Sequence, residues 1–397
     1  MSTNLPRFGE FVALIAMLTS LTALAIDAML PALVTIGREL GVQHDNDAQL
    51  ILTTLFLGLA LGQVFFGPLS DATGRKPLMY VGLGIFMLGS LLSMLAQDFS
   101  HMLIGRFLQG VGASAPRVLT MALVRDCYSG RAMARVMSFT MSIFILVPMI
   151  APSLGQGILL MAGWRSIFTL FFVLALSVAV WFGWRMPETL PAAKRRAFNF
   201  REFWQGLKEV ISNRTSMTYT LTTGIVFGAF LGYLSSAQQI LQIQYGLGER
   251  FPLYFALLAL AIGGASLLNA KLVMRYGMHW ISKRALLLFT LLSGAFWLVT
   301  YNSAGHPALP LLMAYFMLAF LALGMLFGNL NALAMEPLGH IAGIGASVIG
   351  SLSTLIAIPL GTFVGQAYDG TILPLISGFL IFGLAATAAL FSQRKPA

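Results

Sequence analysis

Asp27 is one of 14 acidic residues in the chain, and the one that falls well inside a long apolar run, from Phe11 to Ile36. Burying a charge in hydrocarbon costs about 2.5–3.5 kcal/mol on insertion scales, so such a carboxylate usually faces a partner or a water-filled cavity. Its natural chemistry is reversible protonation. Arg106 is the second candidate, inside another apolar run that crosses in the opposite direction. Asp27 lies about sixteen residues, roughly 24 Å, from the start of its run. Arg106 lies a few residues from the start of its own, so across a core of about 30 Å the two reach similar depth. A carboxylate and a guanidinium at one depth, tuned against each other by hydration, make a proton site. The alternative is a fixed structural ion pair.

Further candidates surround these two. Arg106, Gly110, Ala113 and Arg117 recur at spacings that share one helical face, with Gln109 at its border. Pro116 predicts a local kink beside Arg117. Arg117 is also near enough to the end of its run to snorkel, a role weighed equally with a substrate contact. Met29 follows Asp27 by two residues. In the second half Ser235, Ser236, Gln238, Gln239, Gln242, Asn329 and Asn331 are polar without charge, fit to bond a neutral ligand or to join helices. Tyr233 and the many Phe and Met residues suit an adaptable apolar wall. The expected cavity therefore draws on Met29, Gln109, Ala113, Arg117, Tyr233, Ser236, Gln239, Asn329 and Asn331.

The elements that must position these residues follow from composition. The chain is 58% hydrophobic and only 10% charged, where a soluble domain carries roughly a quarter charged residues. Apolar runs at 11–33, 49–69, 78–96, 102–123, 136–160, 166–185, 217–240, 252–273, 285–301, 308–333, 343–366 and 372–391 predict twelve membrane-spanning helices and an all-α fold. The first span is expected to act as its own insertion signal, without a cleaved leader. Arg38, Arg165 and Arg250 fall on one side and Arg106 and Arg117 within a span; every other Lys and Arg falls on the side of the termini. By the positive-inside rule both termini are expected in the cytoplasm. The net charge of +10 is then explained by basic loops beside anionic lipid, and no nucleic-acid partner is implied. The single cysteine, Cys127, excludes an intramolecular disulfide. No phosphate-binding Gly-Lys-Ser/Thr loop, metal-ligand spacing or nucleophile–base set is visible, so neither an ATP-driven pump, an enzyme nor a cofactor is expected.

The segment 186–214 separates the six-span halves 1–185 and 215–397. It mixes Lys194, Arg195, Arg196, Arg201, Lys208 and Arg214 with Glu188, Glu202 and Glu209. Phe200, Phe203, Trp204, Leu207, Val210 and Ile211 recur within it at helical spacing, which predicts a cytoplasmic linker with an interfacial helix capped by Asn199. A solvated linker is the plainer alternative. The halves carry a weak repeat: Gly67 to Gly74 before Arg75 and Lys76, and Ala270 to Gly277 before Lys283 and Arg284.

Gly67-Pro68-Leu69-Ser70-Asp71-Ala72-Thr73-Gly74-Arg75-Lys76 resembles the cytoplasmic signature of the major facilitator superfamily. Arg106-Phe107-Leu108-Gln109-Gly110-Val111-Gly112-Ala113 resembles its fourth-span motif. The stretch from Pro148 through Pro152 and Gly155 to Gly157 is similar to its antiporter motif. Ile26-Asp27-Ala28-Met29-Leu30-Pro31 and Val124-Arg125-Asp126-Cys127-Tyr128 resemble the bicyclomycin/chloramphenicol-resistance (Bcr/CflA) branch of drug–proton antiporters. Ala72 departs from a position often basic in the superfamily, and Ala151 and Gln156 stand where the antiporter motif tends to have Gly.

The resemblance implies the major facilitator fold in a bacterial inner membrane. Asp27 and Arg106 would then couple proton flow, and Gly67, Asp71, Gly74, Arg75, Lys76, Pro148, Pro152 and Gly155 would govern conformation. The expected function is proton-coupled export of small, largely apolar compounds by a monomer. The alternatives are a dedicated exporter of a metabolite such as an amino-acid derivative or siderophore, a proton symporter, and a membrane sensor. The charge asymmetry predicts that a membrane-impermeant thiol reagent misses Cys127 in intact cells and labels it in inverted vesicles. Labelling from outside the cell would reverse the topology.

Overall fold

A computed structural model describes residues 5–195 and 199–392. Arg196, Arg394 and Lys395, which contributed to the charge asymmetry, lie outside the described residues. Among these residues every regular element is helical. Eleven helical stretches are long and apolar enough to cross a membrane. One of them, Leu309–Gln366, is 58 residues long, more than two spans of about 20 residues require. It is divided at residues 336–341, where Leu338 leaves helical geometry (φ −110°, ψ 20°). Pro337 and Gly339 account for that break, since Pro removes a helical donor and Gly lacks helix preference. The result is twelve crossings.

The chain forms two compact units, Met1–Trp204 and Gln205–Ala397. In the first, α1 (Phe8–Asp27) is followed by a 3₁₀ turn, Leu30–Ala32, and a short α2 (Leu33–Glu39). Then come α3 (Leu50–Thr73), α4 (Arg75–Met94), α5 (Phe99–Cys127), α6 (Gly130–Ala162) and α7 (Arg165–Arg185). The division between units falls inside α8 (Phe200–Ser212). Asn199 caps α8, its Oδ1 accepting from the Arg201 amide at 2.9 Å while its amide reaches Glu202 at 3.1 Å. Phe203, Gly206 and Val210 on one stripe are buried, whereas Phe200, Trp204 and Ile211 remain exposed.

α5 is the central packing element of the first unit, with α3 on one side and α4 on the other. Glycines make this possible. A Cβ on Gly110 would strike the backbone carbonyl of Leu55 in α3, and one on Gly112 would strike the amide of Phe86 in α4. In lipid no hydrophobic force drives helices together, so close backbone approach through small residues takes its place.

The second unit contains α9 (Arg214–Ala237), α10 (Phe251–Tyr276), α11 (Met278–Asn302), α12 (Leu309–Met335), α13 (Ala342–Gln366) and α14 (Leu373–Phe391). Here α9 and α13 pack closely, Gly224, Gly228 and Gly232 receiving Ile356, Leu360 and Val364 in turn. α9 runs on into a π-helical turn, Gln238–Gln244. The weak sequence repeat has a structural counterpart. Gly74 (φ 108°) and Gly277 (φ 78°) each form the tight turn between the second and third long helices of their unit. A side chain would strain that backbone at either position.

Gly110→Ala should destabilise the protein by about 1–3 kcal/mol, because the backbone of α3 must retreat. Gly84 has no neighbour within 4 Å of an added Cβ, so Gly84→Ala should leave thermal stability in detergent unchanged or slightly raised. Equal melting temperatures for the two variants would contradict this packing.

Candidate functional site

Asp27 is the last residue of α1. The helix stops there because Pro31, four residues on, has no N–H to offer the Asp27 carbonyl. Met29, Leu30, Pro31 and Ala32 form the tight 3₁₀ corner that follows, all buried. The Asp27 side chain is 6% exposed, and no hydrogen bond or ion pair reaches it among the described residues. An ionised carboxylate in such surroundings is expensive, so the group requires a proton or a water molecule. α6 closes the corner from outside. Gly155 lies against the Ala28 carbonyl with no room for a Cβ, and Ala151, one turn earlier, is fully buried. Pro152 is buried in the same stretch and Pro148 partly so. Gln156 is 7% exposed, its Oε1 without a hydrogen-bond partner among the described residues.

Arg106 is fully buried but does not form the ion pair with Asp27 that matching depth suggested. Its Nη2 donates to the Ala25 carbonyl at 2.9 Å and its Nε to the Ile51 carbonyl at 3.3 Å. Its Nη1 donates to Gln109 Oε1. The Phe168 ring of α7 lies 5.8 Å from the guanidinium carbon. The planar fork finds neutral acceptors on three helices, and the Ala25 carbonyl is open to it because the last turn of α1 runs out of helical partners. Arg106 therefore contacts Asp27's helix two residues away, through backbone. Gln109 is committed at both ends of its amide, its Nε2 donating to Ser90 Oγ at 2.8 Å.

The remainder of the α5 face is mixed. Ala113 is buried, its carbonyl accepting from Thr22 Oγ1 of α1 at 3.2 Å. Arg117, just past Pro116, is exposed and makes no hydrogen bond or ion pair among the described residues.

A charged cluster gathers at the end of the first unit from which α1 starts. Arg75, 3% exposed, donates Nη1 to Asp71 Oδ1 at 2.6 Å and to Ser70 Oγ at 2.5 Å, and Nε to Asp126 Oδ2 at 3.1 Å. Ser70 Oγ in turn donates to the Gly67 carbonyl at 2.7 Å. Glu188, just beyond α7, accepts from the backbone amides of Arg75 (3.0 Å) and Lys76 (3.1 Å). A carboxylate there caps α4 and meets the positive end of its dipole. Lys76 Nζ donates to the carbonyls of Gly183 (2.8 Å) and Met186 (2.7 Å) at the end of α7. A Cβ on Gly74 would crowd the Glu188 carboxylate. Sequence spacing had assembled Gly67, Asp71, Gly74, Arg75 and Lys76 as one loop. It had no means of bringing in Glu188, which lies more than a hundred residues away and read as linker charge.

In the second unit most expected cavity residues serve packing. Tyr233 stacks on Phe255 and meets Phe316 and Phe320 edge-on. Ser236 Oγ donates to the Gly232 carbonyl at 2.8 Å. Gln239 is buried, and its carbonyl accepts from the Tyr368 hydroxyl at 3.3 Å. Asn329 and Asn269 exchange amide hydrogen bonds at 2.7 and 3.2 Å, joining α12 to α10. Asn331, two residues on and therefore on another face, is exposed.

Comparison with known proteins agrees with this architecture. Residues 15–362 match the profile of the Major Facilitator Superfamily. The chain is 30% identical over 387 residues to the uncharacterized MFS-type transporter YdgK of Bacillus subtilis, covering 96% of this chain and 94% of that protein. It is 28% identical to a bicyclomycin resistance protein homolog of Haemophilus influenzae, covering 92% and 91%. Among solved structures, the human organic anion transporter MFSD10 superposes with a TM-score of 0.73 at 20% identity, over 97% of this chain and 100% of that one, a likeness of fold alone. Twelve apolar crossings, paired glycine turns and this family match lead to one conclusion: the chain is a multi-pass membrane transporter, and it belongs to the Major Facilitator Superfamily.

Proposed function

We propose that this transporter is a proton-coupled antiporter that exports small, largely apolar compounds across a bacterial inner membrane, with both termini in the cytoplasm. The observation that carries this reading is Asp27. It is buried, without a protein partner among the described residues, and placed where α1 breaks. A structural carboxylate would be bonded to donors, as Glu188 is. A carboxylate that must exchange a proton needs the reverse, a site that leaves its charge to be met by a proton in one state and by water in another. Arg106 supports it indirectly, by fixing the carbonyl of Ala25 and so the last turn of α1. Gly155 of α6 abuts the following residue, so movement of α6 and the hydration of Asp27 are mechanically linked. Relatives named for bicyclomycin resistance agree with export of drug-like compounds.

The segment 186–214 serves in this proposal as a cytoplasmic linker whose Glu188 locks α4 to α7. Coupling demands reciprocity. If a proton at Asp27 weakens substrate binding, substrate must to the same degree weaken proton binding. Protons entering from the periplasm then favour release of the compound carried outward.

Asp27→Asn keeps the shape of the protonated group and cannot lose a proton. In proteoliposomes with an imposed pH gradient, the natural protein should accumulate a substrate such as chloramphenicol uphill, and Asp27→Asn should not, while exchange down a gradient survives. Full uphill transport by Asp27→Asn would remove the residue from coupling. Arg106→Lys retains charge but cannot serve three acceptors from one planar group. It should lower uphill transport by about tenfold to a hundredfold, since one lost charge-assisted hydrogen bond is worth about 1.5–3 kcal/mol. Normal transport by Arg106→Lys would show that the fork has no part in holding the end of α1.

A further inference from the structure

Three charged side chains lie inside the spans of the first unit, and their situations differ. Arg106 is saturated by neutral acceptors, and Asp27 is buried. Arg117 is exposed and has neither hydrogen bond, ion pair nor aromatic partner among the described residues. It lies ten residues before the end of α5 at Cys127, or about 15 Å of helix, well inside the span. An unsolvated, unpaired guanidinium at that depth is strongly disfavoured, so water or an anion must face it.

Its direction separates it from a side chain reaching for lipid headgroups. Arg117 shares a helical face with Arg106, Gly110 and Ala113. Those three are buried against α1 and α3: Arg106 on the carbonyls of Ala25 and Ile51, Gly110 on Leu55, Ala113 under the Thr22 hydroxyl. Past Pro116 the same helix opens, and Arg117, Met121 and Arg125 form an exposed stripe at four-residue spacing towards its end. Asp126, the nearest carboxylate in sequence, is already held by Arg75 and by Thr189. The stripe is thus cationic, with a flexible thioether, 47% exposed, between its two guanidinium groups.

We infer that Arg117 binds the carboxylate of an amphiphilic, singly charged substrate, whose apolar body lies along Met121. One guanidinium fork matches one planar carboxylate by paired hydrogen bonds, and methionine adapts to varied apolar shapes. This rests on the export reading and adds to it a preference, among small, largely apolar substrates, for aromatic or aliphatic monoacids over their neutral counterparts.

The test compares an acid with its own ester. Salicylate and methyl salicylate, each radiolabelled, are measured by equilibrium dialysis against the full-length protein in nanodiscs at pH 7. The natural protein should prefer the acid by about tenfold, the value of one charge-assisted pair, and Arg117→Gln should abolish that preference. No preference in the natural protein, including no binding of either compound, overturns the inference, as does a preference that persists in Arg117→Gln. Should Arg117→Gln not fold, Arg117→Lys replaces it: loss of the paired geometry should reduce the preference severalfold, and an unchanged preference overturns the assignment. Export is judged separately, by uptake of salicylate into inverted vesicles under a pH gradient. Arg117-dependent binding without uptake would end the export reading and leave the anion site standing.

Discussion

A charge in a hydrocarbon slab must be neutralised, solvated or surrounded by fixed dipoles, and much of the first unit is arranged around that requirement. Arg106 is met by dipoles: two backbone carbonyls and an amide oxygen, none of them charged. Those carbonyls come from α1 and α3, so a single side chain on α5 ties three helices together. Asp27 is left without such a shell, at the one place where α1 ceases to be a helix. The contrast has a simple chemical basis. A guanidinium carries five donors and can be satisfied by backbone acceptors, which the C-terminal end of a helix supplies. A carboxylate accepts only, and helix C-termini have no free donors to give it.

The same asymmetry explains the opposite arrangement at the end of the unit. Glu188 sits at the N-terminus of α4, where two amides point outward without helical partners, and it bonds both. Arg75 gathers Asp71, Asp126 and Ser70 beside it, and Lys76 closes on the last carbonyls of α7. Ends of α3, α4, α5 and α7 are thereby bound by a few charge-assisted bonds. Arg75 is buried at the centre of this cluster while Asp71 remains open to solvent.

Close packing supplies the remaining constraint. In the first unit glycine meets backbone, as Gly110 meets Leu55 and Gly155 meets Ala28. In the second, the glycines of α9 receive branched side chains of α13. The two units share an order of helices and a glycine turn at Gly74 and Gly277, yet the chemistry placed on that common frame differs. The first unit holds the in-span charges. The second holds an aromatic cluster about Tyr233 and a neutral amide pair, Asn269 and Asn329. Many polar residues of the second unit bond back to a carbonyl of their own helix, as Ser236 does to Gly232, or join two helices, as Asn269 and Asn329 do, which is why their presence in an apolar run is a poor guide to a binding surface.

The sequence by itself determined the class, the number of crossings and the residues worth examining. Apolar runs of about twenty residues have one solution in lipid, because every backbone group must be bonded within the segment. An ionisable residue in such a run is conspicuous for the same reason. Tertiary structure decided what each of them touches. Matching depth along two helices left the azimuth of Arg106 undetermined, and the fold turned it towards Ala25 and Ile51 instead of the Asp27 carboxylate. Pro31 was visible in the sequence, but its consequence, a break that leaves Asp27 at a helix end, emerged with the corner and with Gly155 packed on it. Glu188 was beyond reach of local pattern because its partners are contributed by α4, and Asn331 parted from Asn329 because a helix turns about 100° per residue. Depth in the membrane is a one-dimensional property that hydropathy encodes; direction around a helix axis is set by packing against neighbours distant in sequence.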